Sequence, residues 1–336
     1  MRIIVDAMGG DNAPVEIVKG CVDACRLREG FDIILVGDSG KIEEILASCN
    51  YSSPRISIKH TTEVIETGEP PVAAIKKKKD SSMVVGLEML REGAGDAFIS
   101  AGSTGALLSG ALLRVGRIKG IIRPALAPFL PNGGKGALLI DCGANMDCKS
   151  EYLEQFALMG SVYLEKVFGF TNPRVGLVNV GAEPEKGNEL AKDVHARLAN
   201  NDKINFVGNI EGRDIFDDKA DIAVCDGFVG NLILKTAEGV GMFIFRNLKK
   251  AFMAGLKSKI AALALKKSFI EVKRSLDYTE YGGAPLLGIN GVVVKAHGSS
   301  DAKTIKYTVL QAVNMVSNDI ISLIKSKIEG LNEEDI

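Results

Sequence analysis

The sequence predicts an α/β fold in three layers, with a mostly parallel sheet that carries helices on both faces. Short β-branched runs alternate along the chain with Gly-rich turns and longer amphipathic stretches, which is the pattern of parallel strands joined by helices. Glycine contributes 37 of 336 residues, above the usual share of about 7%, as many tight turns require. Each such turn follows the carboxyl end of its strand, where open α/β sheets bind ligands.

Six strand–turn–helix units follow one another in chain order. The predicted strands cover residues 3–5, 33–36, 97–100, 175–179, 222–225 and 292–295. The helices after them are predicted to begin near Pro14, to run through Ile42, Ile45 and Leu46, and to cover 106–113, 187–198, a stretch from Leu232 onward, and 302–328. Two segments interrupt this order: an antiparallel hairpin of 125–130 and 136–140, and a long helical stretch, 241–276, with a break at Gly255.

No linker or change of composition divides the chain, so we expect a single α/β domain over residues 1–330. The helical stretch 241–276 is expected to protrude from this domain as a hairpin. The acidic residues 331–336 are expected to form a frayed tail.

Composition excludes several functional classes. Lys and Arg number 41 against 42 Asp and Glu, so no overall positive charge attracts nucleic acid. The six cysteines form no C-x-x-C pair, and only three histidines accompany them, so we expect no metal site. We expect the cysteines to be reduced thiols in a cytosolic protein. With an Asp at position 6 we expect no signal peptide, and without 18 apolar residues in a row we expect no membrane-spanning helix. Neither the dinucleotide fingerprint nor the P-loop occurs, so we expect no cofactor.

The turns at the strand ends supply candidate phosphate-binding residues. In AGSTG, residues 101–105, two hydroxyls and two glycines open a helix and form a nest of amides suited to an anion. Helix capping by the same hydroxyls explains the pattern equally well. The predicted phosphate- or substrate-binding residues are Asp6, Gly9, Gly10, Gly102, Ser103, Thr104, Gly105, Asp141, Asn145, Asp226, Gly227, Gly230 and Ser299.

Three further side chains in these turns are candidates for catalysis. Lys186 and Asn231 lie near the starts of helices that follow strands, where a cation and a carboxamide can bind phosphate or polarise a carbonyl oxygen. His297 is the histidine that falls in such a turn, which makes it a candidate acid or base. A solvated lysine, an ordinary first-turn asparagine and a structural histidine are the alternatives.

The stretch 246–274 carries nine basic residues against the single acid Glu271, and lysines flank an apolar run at 260–265. A basic hairpin with an apolar tip is typical of a membrane-surface anchor. The same cations suit an acidic partner protein, and a helical dimer interface with solvated lysines is a third interpretation. The predicted membrane- or carrier-binding residues are Lys257, Lys259, Ile260, Leu263, Leu265, Lys266 and Lys267.

Six longer motifs run through the chain. They are VDAMGGD (5–11), ISAGSTGALL (99–108), VGRIKGIIRPALAP (115–128), NVGAEPEKGNEL (179–190), DGFVGN (226–231) and KAHGSSD (295–301). Together they resemble the phosphate acyltransferases of bacterial phospholipid synthesis, the PlsX family, and the resemblance covers residues 1–328. Asn12 and Ser103 stand where many relatives have His and Asn, so neither can be an indispensable acid or base.

The resemblance implies reversible transfer of a fatty acyl group from acyl-[acyl carrier protein] to inorganic phosphate by direct attack on the thioester. The acyl phosphate would feed a membrane glycerol-3-phosphate acyltransferase. The resemblance also implies a cytoplasmic homodimer attached peripherally to the inner face of the cell membrane, with a fold related to phosphotransacetylases and isopropylmalate-type dehydrogenases. A phosphotransacetylase that uses acyl-CoA, a decarboxylating dehydrogenase and a membrane-surface scaffold for lipid enzymes are the alternatives.

Overall fold

Two mostly parallel sheets carry the strands, where the sequence predicts one. The computed structural model describes residues 1–267, 269, 271 and 281–332. In this part of the chain the strands are β1 Arg2–Asp6, β2 Asp32–Gly37, β3 Ile56–His60, β4 Ala97–Ser100, β5 Ala125–Leu126, β6 Phe129–Leu130, β7 Ala137–Ile140, β8 Val175–Val178, β9 Phe206–Ile210, β10 Ile222–Val224, β11 Ala284–Leu287 and β12 Val292–Lys295. The first sheet has the order β3-β2-β1-β4-β12-β11-β5 and the second β6-β7-β10-β8-β9.

Helices lie between the strands. In the same described residues they are α1 Val15–Leu27, α2 Ser39–Ser48, α3 Pro71–Lys77, α4 Ser82–Arg91, α5 Thr104–Gly110, α6 Ser150–Tyr163, α7 Glu189–Ala199, α8 Gly227–Met253, α9 Leu256–Ala264, α10 Ala302–Ser317 and α11 Ile320–Asn332. Short π-helical segments, Ala111–Val115 and Leu164–Phe168, continue α5 and α6, and a 3₁₀ turn covers Gly212–Phe216.

Adjacent parallel strands place three Gly-rich turns at one edge of the first sheet. Strand β4 pairs in parallel with β1 on one side and with β12 on the other. In the second sheet, β10 lies in parallel between β7 and β8. Since the carboxyl ends of parallel strands share an edge, each sheet collects the turns that follow these strands into a cluster.

The predicted hairpin forms only in part. Phe129–Leu130 pairs with Ala137 and Leu138, whereas Ala125–Leu126 pairs with Leu286 and Leu287 of the first sheet. Pro128 separates the two short strands and has no amide hydrogen for a continuous ladder. The chain therefore crosses from one sheet to the other at this point, and a single core cluster contains residues of both sheets, including Val5 and Val224.

Two helix boundaries differ from the prediction. Helix α8 begins at Gly227, before the predicted Leu232, because the Asp226 carboxylate accepts the Val229 amide at 2.8 Å and caps the helix. The stretch 302–328 forms two helices, α10 and α11, separated at Asp319, whose φ of +47° interrupts helical geometry.

Helices α8 and α9 form the described part of the predicted hairpin. The break falls at Gly255, as predicted, and the chain returns so that the rings of Phe252 and Phe269 lie 4.6 Å apart. Helix α8 has the length and apolar composition of a membrane span, with a mean hydropathy of 1.4 over 18 residues. Residues 268, 270 and 272–276 of the hairpin and 333–336 of the predicted tail lie outside the described residues.

Candidate active site

Three loops of the first sheet meet at the carboxyl ends of β1, β4 and β12. We call residues 7–11, 101–105 and 296–300 the first-sheet cluster. The Asp11 amide donates to the Gly298 carbonyl at 2.8 Å, and the Ala296 amide donates to the Ser100 carbonyl at 3.0 Å. The Asn12 side chain donates to the carbonyl of Ser299 at 3.1 Å. The fold therefore brings together the predicted residues of these three turns.

Glycine is required where the loops approach most closely. A Cβ on Gly9 would lie 2.5 Å from Asp6 Oδ2 and 2.8 Å from the Gly102 nitrogen. Gly10 has a φ of +107°, and a Cβ there would lie 2.9 Å from the Ala101 side chain. Larger residues at these positions would force the loops apart.

The Asp6 carboxylate holds the first-sheet cluster together from inside. It accepts the Ser100 hydroxyl at 2.7 Å and the amides of Met8 and Gly9 at 3.1 Å. Burial raises the pKa of Asp6, and these hydrogen bonds oppose that rise. Asp6 thus acts on the site by ordering its loops.

The 101–105 loop combines capping with unpaired amides. The Ser103 hydroxyl accepts the Ala106 amide at 3.4 Å, which is the capping arrangement that the sequence left open. In the described part of the chain, the amides of Ser103, Thr104 and Gly105 have no hydrogen-bond partner. These amides are available to an anion, and Thr104 is exposed.

Lys295 lies beneath this loop, and we did not predict it as a site residue. Its side chain occupies the end of β12 and is 8% exposed. The ammonium donates to the Ala101 carbonyl at 3.3 Å and to the Ala296 carbonyl. Burial lowers the pKa of Lys295 to about 8, although the nearby Asp6 carboxylate opposes this. A lysine at the end of a run of buried valines was the available signal.

His297 and Ser299 form a local pair at the mouth of the first-sheet cluster. The Ser299 amide donates to His297 Nδ1 at 3.3 Å, so the neutral ring carries its proton on Nε2. Partial burial lowers the pKa of His297, and the positive charges of Lys235 and Lys295 lower it further, against Glu238 and Asp11. At neutral pH the ring is therefore an uncharged hydrogen-bond donor.

The predicted residues after β7 and β10 form a second group, residues 141–145 and 226–231, which we call the second-sheet cluster. Asp141 Oδ2 accepts the amide of Asn145 at 2.7 Å and its side-chain nitrogen at 2.9 Å. The Gly227 amide donates to the Asn145 carbonyl at 2.7 Å. A Cβ on Gly230 would lie 1.9 Å from the Asp141 carbonyl oxygen, so glycine lets α8 pack directly on the loop.

Lys186 and Asn231 lie at the same edge of the second sheet, since β8 and β10 are neighbours. Both residues are exposed, and no hydrogen bond joins them within the described residues. The Lys186 loop is fixed from below, because Asn179 donates to the Lys186 carbonyl at 3.1 Å and Asn209 donates to the Glu183 carbonyl at 2.8 Å. The side chains of Lys186 and Asn231 are thus exposed to solvent, and the backbone that carries Lys186 is held by hydrogen bonds.

Helix α8 connects the two clusters. It begins in the second-sheet cluster, and Lys235 lies about 12 Å further along the axis at 1.5 Å per residue. Lys235 pairs with Glu238 at 2.8 Å, and both charges act on His297 of the first-sheet cluster. The space between the clusters is therefore bounded by one continuous helix.

The cysteines near these clusters are protonated thiols. Cys142 and Cys225 are buried, and Cys148 is half-buried beside Asn145. Burial raises the pKa of Cys148 to about 12, and the negative charges of Asp141 and Asp226 add to this rise. A thiol is a nucleophile only as the thiolate, so this cysteine is unreactive at neutral pH. Among the described residues no group of three His, Cys, Asp or Glu side chains is arranged to hold a metal ion.

The predicted membrane- or carrier-binding residues are exposed on α9 and just after it. Ile260 is 61% exposed and Leu263 is 74% exposed. Leu265 is also exposed, as are the flanking lysines Lys257, Lys259, Lys266 and Lys267. The described structure thus leaves apolar and cationic side chains uncovered on one projecting segment.

Comparisons with known proteins agree on the family. A family model described as "Fatty acid synthesis protein" matches residues 1–323. A phosphate acyltransferase of Acetivibrio thermocellus is 47% identical over 336 residues, which covers 100% of this chain and 99% of the relative. A phosphate acyltransferase of Geobacillus sp. is 52% identical over 330 residues, 98% of this chain and 99% of the relative.

Solved structures share the fold at low sequence identity. A phosphotransacetylase from Streptococcus pyogenes has a TM-score of 0.65 at 16% identity, with 94% of each chain covered. A branched-chain phosphotransacylase from Enterococcus faecalis has a TM-score of 0.55 at 15% identity, covering 94% of this chain and 100% of the other. The expected relation to the phosphotransacetylase fold is confirmed. From its motifs, the family model and its relatives, the chain belongs to the phosphate acyltransferase (PlsX) family, the acyltransferases of fatty acid and phospholipid synthesis.

Proposed function

We propose that this phosphate acyltransferase takes its acyl group from acyl-[acyl carrier protein] and binds inorganic phosphate in the first-sheet cluster. The observation that carries this proposal is the meeting of three unpaired amides, at Ser103, Thr104 and Gly105, with the buried ammonium of Lys295 below them. Amides and a buried positive charge together suit a small dianion. His297 Nε2 adds a neutral donor at the mouth.

Phosphate itself is the nucleophile in this proposal. A phosphate oxygen attacks the thioester carbonyl carbon, the carbon–oxygen bond forms, and the carbon–sulfur bond breaks. The carrier thiolate leaves with the electron pair and takes one proton, so acyl phosphate and the free carrier thiol are produced. The protonated state of Cys148 is consistent with a route that has no acyl-enzyme.

Lys186 and Asn231 are proposed to face the thioester from the carboxyl edge of the second sheet. A cation and a carboxamide stabilise the negative charge that develops on the carbonyl oxygen when phosphate attacks. Lys186 supplies the proton to the departing sulfur, whereas His297, which is uncharged at neutral pH, contributes a hydrogen bond and no proton. The glycines at 227 and 230 hold α8, and with it Asn231, against the 141–145 loop.

The exposed segment of α9 is proposed to meet the acyl donor and the membrane. Carrier proteins are acidic, so the lysines at 257–267 suit them by charge. Ile260, Leu263 and Leu265 suit acyl-chain contact at a bilayer surface. We further propose a single α/β domain that works as a cytoplasmic homodimer on the inner face of the cell membrane and hands its product to a membrane glycerol-3-phosphate acyltransferase.

The test is the formation of acyl phosphate by the purified protein. Long-chain acyl-[acyl carrier protein] and inorganic phosphate are incubated with the enzyme, and the product is trapped as a hydroxamate with hydroxylamine. We expect hydroxamate only when both substrates are present. Product from the matching acyl-CoA and not from the carrier substrate would refute the proposed donor, and no product from either would refute the proposed reaction.

A further inference from the structure

The ammonium of Lys295 is a buried charge with incomplete local compensation. Its described hydrogen bonds go to two backbone carbonyls, those of Ala101 and Ala296. Among the described residues it forms no ion pair with a carboxylate. A buried charge is costly unless an opposite charge pairs with it. Two carbonyl oxygens do not supply that opposite charge, so a bound anion would complete the compensation of the ammonium.

Charged groups on β1, on the loop that follows it and on α8 act on Lys295. Asp6 from β1 and Asp11 from the following loop attract it, and Lys235 from α8 repels it. His297, in the same loop as Lys295, is uncharged at neutral pH. The Asp6 carboxylate is shared with the Ser100 hydroxyl and the amides of Met8 and Gly9, and among the described residues neither Asp6 nor Asp11 forms an ion pair with Lys295.

We propose that Lys295 is the positioning residue for phosphate: its ammonium fixes the Ala101 carbonyl, so that the next amides face the anion, and its charge balances the dianion. This inference rests on the proposed function, since it requires phosphate at the first-sheet cluster. It assigns the selection of a doubly charged nucleophile to the last residue of β12, which the sequence pattern does not single out.

The assignment predicts a specific pH dependence. Because the pKa of Lys295 is about 8 without a bound anion, the cation is lost as the pH rises through that value. Phosphate stays a dianion above neutral pH, and the lowered pKa of His297 keeps that ring neutral there. The kcat/KM for phosphate therefore falls by up to about tenfold per pH unit above pH 8.

The experiment measures kcat and both KM values in the hydroxamate assay between pH 6.5 and 9.5. Lys295→Met removes the charge at similar volume, Lys295→Arg keeps it, and Lys219→Met is a matched control at the amino end of β10, where Lys219 pairs with Asp214. For Lys295→Met we expect a phosphate KM raised roughly tenfold to 100-fold, an unchanged acyl-donor KM, and no alkaline decline. Lys295→Arg should recover part of the affinity and also lack the decline, since Arg stays protonated.

Thermal unfolding accompanies each variant. A folded Lys295→Met enzyme with a phosphate KM within twofold of the wild type would overturn the proposal. If that variant does not fold, the wild-type profile decides, because a flat kcat/KM for phosphate from pH 7 to 9.5 would also overturn it. A wild-type enzyme that forms no acyl phosphate would instead refute the proposed function.

Discussion

Replacement of Gly230 by alanine should damage both stability and turnover. An added Cβ would lie 1.9 Å from the Asp141 carbonyl oxygen, and ordinary contact begins near 3.4 Å, so the first turn of α8 must move by about 1.5 Å. Overpacking of this kind costs about 1–3 kcal/mol. The better helix propensity of alanine returns about 1 kcal/mol, which leaves a net loss of up to about 2 kcal/mol.

Gly230→Ala should also lower the turnover of the folded enzyme. Asn231 follows Gly230 directly, so a shift of this turn moves the proposed oxyanion donor. A misplacement of about 1 Å in a catalytic site costs on the order of 100-fold in rate. Urea unfolding measures the free energy of unfolding, and hydroxamate formation measures turnover.

Gly239→Ala is the matched control on the same helix. Apart from the adjacent residues and the backbone of α8 itself, no described atom lies within 4 Å of the Cβ that this substitution adds. It should stabilise the protein by about 0.5–1 kcal/mol and leave turnover unchanged. The reasoning would be refuted by a Gly230→Ala protein as stable and as active as the Gly239→Ala protein.

Four further variants test the proposed roles. Lys186→Ala should lose about 2.7–4 kcal/mol of transition-state stabilisation with an unchanged phosphate KM, and near wild-type turnover would contradict its assignment. Asn209→Ala removes the hydrogen bond to the Glu183 carbonyl and should lower kcat by a smaller factor than Lys186→Ala. If Asn209→Ala lowered kcat by the same factor in the wild type and in the Lys186→Ala enzyme, Asn209 would act independently of Lys186. Cys148→Ala should keep its turnover, and inactivity in a folded variant would favour an acyl-enzyme. Leu263→Glu should release the protein from anionic vesicles with little change in solution activity, and unchanged vesicle binding would assign this tip to another contact.

The sequence pattern predicts the strands on which the site depends. The runs ending at Asp6, Ser100 and Lys295 are β-branched or apolar and are followed by glycines, so local chemistry marks both the strand and its turn. The positions of Gly9 and Gly102 follow from that rule. What the pattern does not contain is the strand order, and the meeting of these loops depends on β4 lying between β1 and β12.

The division into two sheets was beyond reach for a related reason. The strands at 125–126 and 129–130 are only two residues long, so their own sequence does not decide which sheet each one joins. The partner of the strand at 125–126 lies more than a hundred residues further along the chain, at 286–287. Lys295 was missed because a lysine at a strand end is ordinarily solvated. The structure shows that its side chain is buried beneath the 101–105 loop.

Helix α8 joins the second-sheet cluster, where it begins at Gly227, to the projecting segment that follows Gly255. Its 27 residues span about 40 Å at 1.5 Å per residue. At that length, a tilt of about 5° at the Asp141 loop displaces the far end by roughly 3.5 Å. A contact made at the far end of α8 would therefore change the angle between this helix and the Asp141 loop, and with it the position of the residues in the second-sheet cluster.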